Sequence, residues 1–164
     1  MVSLLPSIIV LGLAALAAYS LTIRRISPAT YSTARRSAAK ALAIATAIQA
    51  VHFLEEAMND FHLRLGAQFD LPAMPYGFFV AFNLAWIGIW IASIPGLQAT
   101  RSWAFFAAWF LAIAGMLNGV LHPLLALSAG GYFPGLASSV FVAVASFVLW
   151  RRLYAATRTT DAEA

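Results

Sequence analysis

Five apolar runs, each about the 20 residues a helix needs to cross a bilayer, constrain this chain more than any other feature. They lie near 3–22, 39–60, 74–95, 103–127 and 135–153. Little sequence remains between them, so the expected fold is all-α: one polytopic membrane helix bundle with five transmembrane helices over 1–164. Composition agrees, at 62% hydrophobic and 10% charged, where soluble domains run nearer 45–50% and 25%. There is no cysteine, which excludes disulfides, thiolate metal sites and thiol nucleophiles together.

The charges fix an orientation. Arg24, Arg25, Arg35, Arg36, Lys40, Arg101, Arg151, Arg152 and Arg158 all fall on one side of a five-span chain, and Arg64 alone falls on the other. The positive-inside rule then predicts a cytoplasmic C-terminus and an N-terminus outside. The first run has no basic n-region before it, so a retained span is expected rather than a cleaved signal peptide. The net charge of +4 reflects this topology and anionic lipid headgroups, so no nucleic-acid partner is expected.

Inside the second run lies His52-Phe53-Leu54-Glu55-Glu56. A charged group near the centre of a spanning helix costs roughly 2.5–3.5 kcal/mol or more, so such groups face protein or water and usually serve a function. At about 100° per residue, Gln49, His52, Glu55, Glu56 and Asn59 share an arc of about 120°. Phe53, Leu54, Val51, Ala50 and Met58 cover the lipid side in this reading. His52 and Glu56, spaced i and i+4, can bind one metal ion or share one proton. Glu55 can flank them as general base.

Asn118 and His122 repeat the i, i+4 spacing on span four, and Gly115 and Gly119 allow a close helix approach there. With the chain oriented as above, His52 lies about 18 Å along its helix from Lys40, and Asn118 and His122 about 25–32 Å along theirs from Arg101. Tyr132 and Pro134 occupy the following outer loop. The polar clusters are therefore expected to converge in the outer half of the bundle. Asn83 on span three could close the site from a third side, while His62 reads as a solvated loop residue beyond span two. The tryptophans read mostly as interfacial or lipid-facing.

Three motifs in order, His52-Phe-Leu-Glu55-Glu56, Asn118-Gly-Val-Leu-His122 and Tyr132-Phe-Pro134-Gly135, resemble the HXXEE family of small prokaryotic membrane proteins. The resemblance spans roughly residues 45–150 and supports the choice of residues. It implies the cytoplasmic (inner) membrane of a prokaryote and no particular reaction.

The resulting expectation is a membrane enzyme acting on a lipophilic small-molecule substrate by metal-assisted or acid/base chemistry. His52, Glu55 and Glu56 are its catalytic candidates. His52, Glu56 and His122 are the metal ligands, with zinc or iron suited to a His/carboxylate set. Asn118, Tyr132 and Asn83 are the substrate-binding candidates. The alternatives are a proton- or ion-coupled transporter, for which a homodimer could supply the pathway, and a non-enzymatic membrane binding or accessory protein.

Overall fold

A computed structural model of the chain describes residues 5–25 and 32–157. The start of the first apolar run, residues 26–31 after it and Arg158 lie outside the described residues. Those described form six helices and no strand: α1 Leu5–Arg25, α2 Ser32–Met58, α3 Phe61–Gln68, α4 Tyr76–Gln98, α5 Ser102–Ser128 and α6 Leu136–Ala156. All except α3 are long and apolar enough to span a membrane, so the chain is an integral membrane helix bundle.

Helices α2, α4, α5 and α6 form a ring, with α1 packed on the outside of α5. Small side chains permit the close approach. Ala38, Ala41 and Ala45 on α2 and Ala104, Ala108 and Ala112 on α5 are buried around Trp109, Phe105, Leu42 and Leu149. A Cβ at Gly115 would fall on the Ser146 side chain and 3.1 Å from Val142 Cγ1, so α6 crosses α5 at a point only glycine allows. Trp90 Nε1 donates to Ala107 O at 3.0 Å and ties α4 to α5. Arg25 Nε donates to Thr157 Oγ1 at 3.3 Å, and its guanidinium sits 3.7 Å from the Tyr154 ring, so the basic ends of α1 and α6 meet.

Three expectations are corrected. First, α2 begins at Ser32, a turn and more before the apolar run. Its 27 residues make about 40 Å of helix, beyond the roughly 30 Å of a hydrocarbon core. Hydropathy marks where the bilayer lies, and a helix rich in Ala and Arg continues past it. Second, part of the stretch between spans two and three is helical. Asp60, with φ of 58°, breaks α2 from α3, and α3 then turns Leu65 inward and Arg64 outward. His62 is accordingly half-buried, its ring 4.9 Å from that of Tyr76. Third, Phe53 does not face lipid. It is buried beneath α3 with Leu65, Phe79, Ala126 and Phe133. Trp109 is likewise a fully buried core residue rather than an interfacial one.

Candidate metal centre

The end of the bundle away from the basic helix termini holds the polar residues, and its geometry starts from the turn into α6. Gly135 enters that helix with φ of 88°, a left-handed conformation that favours glycine, and it has no side chain with which to cap the first turn. Glu55 of α2 caps it instead. Its Oε1 accepts from Ala137 N at 3.1 Å and from the Tyr132 hydroxyl at 2.7 Å. Its Oε2 accepts from Ser138 N at 2.8 Å and from the Ser138 hydroxyl. A carboxylate has about four in-plane acceptor sites, and all are taken. A helix N-terminus also favours a negative charge. The Tyr132 phenol, partly desolvated and bound to this anion, is pushed up to about 12.

That capping network sets the histidine tautomers. The Ser138 hydroxyl has one proton and gives it to Glu55, so Oγ accepts from His52 Nδ1 at 2.7 Å. His122 Nδ1 lies 2.8 Å from Pro134 O, and a carbonyl can only accept, so this Nδ1 also carries the proton. When neutral, both rings therefore present a bare Nε2. These two nitrogens point at one atom: Glu56 Oε1 is 3.6 Å from His52 Nε2 and 3.4 Å from His122 Nε2. All three side chains are buried.

Three lone pairs facing one another out of water repel unless a shared proton or a metal cation lies between them. The distances are long for hydrogen bonds. These two of the three separations fall in the range of tetrahedral edges, about 3.3–3.6 Å for metal–ligand bonds of about 2.0–2.2 Å. The ligand atoms of the three residues all lie within 4.8 Å of one another, a grouping that could hold a metal ion. The imidazoles are fixed from behind by Ser138–Glu55 and by a backbone carbonyl, as metal-bound histidines usually are. From the flank, Asn118 Nδ2 donates to His52 Nε2 at 3.3 Å. A Cβ at Gly135 would collide with His122 Cε1 and fall 2.7 Å from its Nδ1 and 2.9 Å from His52 Cε1.

Glu56 and His122 form part of the wall of an apolar cavity of about 510 Å³ between α1, α4 and α5. Asn118, Asn83, Gln49 and Ser7 add further polar atoms, and Phe82, Trp86 and Trp90 much of the apolar wall. Asn83 also donates to Phe79 O of its own helix at 2.9 Å. Phe61 of α3 covers the outer end, its ring 5.8 Å from that of His122 and 6.0 Å from that of Phe133.

The expected site residues thus divide. His52, Glu56, His122 and Asn118 meet, and Asn83 looks into the same cavity. Glu55, expected as general base, is saturated by donors, and Tyr132, expected at the substrate, holds it in place. Neither lines the cavity. Asn59 leaves the polar arc altogether, exposed and bonded to Glu55 O at 2.8 Å. Ser138 was missed, and its only sequence signal is a small polar residue three positions after Gly135, in the first turn of an apolar span. No protein family, curated protein or solved structure matches this chain.

Proposed function

We propose that the protein is a membrane enzyme whose His52, Glu56 and His122 hold a divalent metal ion, zinc or iron, at the floor of a cavity that admits a lipophilic substrate. One observation carries this reading: two imidazoles with fixed tautomers aim bare Nε2 atoms at one buried carboxylate oxygen. A bound ion would supply Lewis acidity to a substrate oxygen or a bound water. Glu56, the carboxylate on the cavity wall, accepts protons there. Asn118 orients the substrate oxygen beside it. Glu55 acts through Ser138 on His52, as a positioning residue. The three motifs that meet at this site are those of the HXXEE resemblance, and we assign the chain to that family as part of the same proposal. The basic helix ends are placed on the cytoplasmic side of a prokaryotic inner membrane.

Elemental mass spectrometry on the purified protein tests the reading. Near-stoichiometric zinc, iron or manganese is expected in the wild type and background metal in His52→Ala. No metal in the wild type, even after reconstitution with each ion, would leave the three groups sharing a proton and make the site an acid/base pair.

A further inference from the structure

We propose that the cavity takes a single-chain amphiphile, one hydrocarbon chain ending in a small uncharged oxygen group such as an alcohol, aldehyde or ester, which enters sideways between α1 and α4. The role of the head rests on the metal-site reading; the fit of the chain does not. The wall is graded along the bundle. Glu56, His122 and Asn118 lie at the outer end, and Trp86, Trp90 and Phe110 lie at the inner end. On α5 the distance from His122 to Phe110 is about 18 Å, more than half of the roughly 30 Å hydrocarbon thickness. That depth suits a chain lying along the membrane normal with its polar end at the metal centre.

The chemistry of the wall narrows the head. Among the described residues lining the cavity, Glu56 is the one charged side chain, and no lysine or arginine is present. A phosphate head would find no lysine or arginine to add to the proposed metal ion, and a carboxylate head would compete with Glu56 for that ion. A small neutral oxygen group can accept from Asn118 or Gln49 without either penalty. The back of the cavity is one face of α5, along which Phe110, Ala114, Asn118, Leu121 and Leu125 follow one another.

The entrance follows from what packs where. Helices α1 and α4 both pack on α5 but make at most slight contact with each other, which leaves a slot on the membrane side. From the aqueous side, α3 blocks the way with Phe61, stacked 5.7 Å from Phe79. On α1, a Cβ added at Gly12 meets nothing within 4 Å, so this wall position opens into free space.

The test uses the full chain in lipid nanodiscs, with two hexadecanol probes carrying a diazirine either at the methyl end or beside the hydroxyl. Photolabelled peptides are mapped by mass spectrometry, and metal content is measured on the same samples with and without chelator. The methyl-end probe is expected to label Trp86, Trp90 and Phe110, and the hydroxyl-end probe Phe61 and Leu121. Gly12→Trp should lower both about tenfold by filling the slot, and Gly12→Ala should not. Ala114→Phe, on the α5 wall, should repeat the loss should the Trp variant fold poorly. Labelling of Phe141 and Phe147 on the outer face of α6 at the same level as the cavity residues overturns the proposal. Labelling that survives both filling variants overturns it too. Cavity labelling in protein that never holds metal sinks the metal reading and retains the chain; bound metal without cavity labelling sinks the chain alone.

Discussion

At the scale of single residues, the site is built backwards from a helix cap. Gly135 cannot cap α6, so Glu55 does. Because Glu55 needs a donor, Ser138 gives up its proton, and His52 must then turn its bare nitrogen inward. Ser138→Ala is expected to weaken metal binding about 10–100-fold without abolishing it, since it removes the group that orients His52. Glu55→Gln should do the same, measured by competition with a chromophoric chelator. A general base would instead lose turnover at full metal affinity. Gly135→Ala is expected to cost about 1–3 kcal/mol for the left-handed backbone alone and to lose metal as well, because the new methyl would displace both imidazoles. Tyr132 gives a pH signature. Its folded-state pKa of about 12 exceeds the ordinary 10.0, so the protonated phenol stabilises the fold. That contribution is complete below about pH 10 and is lost as pH rises through about 12. In alkaline denaturation, Tyr132→Phe should show a shallower fall across that window than the wild type.

At the scale of elements, the spans and the polar face of α2 were legible because both are periodic signals over many residues. Hydropathy located each spanning helix. The i, i+4 pairs put His52 with Glu56 and Asn118 with His122 on common faces. Helix ends were not legible, since α2 runs back through Lys40 and Arg35 to Ser32 while the apolar signal starts later. Nor was α3, whose eight residues are too few for a periodic signal. Phe53 was misread because one arc of α2 was assigned wholly to lipid, while α3 folds back to cover it. The division of labour between Glu55 and Glu56 depends on which one meets the first turn of α6, and no spacing within α2 contains that. The packing of α5 on α6 makes a separate point. Gly115→Ala would push a methyl onto Ser146 and Val142. It is expected to destabilise by about 1–3 kcal/mol through overpacking, seen as a lower unfolding temperature in detergent.

At the scale of the whole molecule, the bundle has a basic end and a site end, and a cavity runs from the site end along α5 as far as Phe110. The absence of native cysteine makes its sidedness simple to read. Single cysteines at Gly131 and at Thr100 should react with an impermeant maleimide from opposite faces, the first in intact spheroplasts and the second only in inverted vesicles. Reversed labelling would place the site on the cytoplasmic side. The central claim is that His52, His122 and Glu56 form one coordination sphere. X-ray absorption spectroscopy of the zinc-reconstituted wild-type protein measures that sphere directly. A shell of nitrogen and oxygen ligands at about 2.0–2.2 Å, with outer-shell scattering from two imidazole rings, is the expected result. A shell of oxygens without imidazole scattering, or zinc that binds equally well to a His52→Ala, His122→Ala double variant, would contradict it.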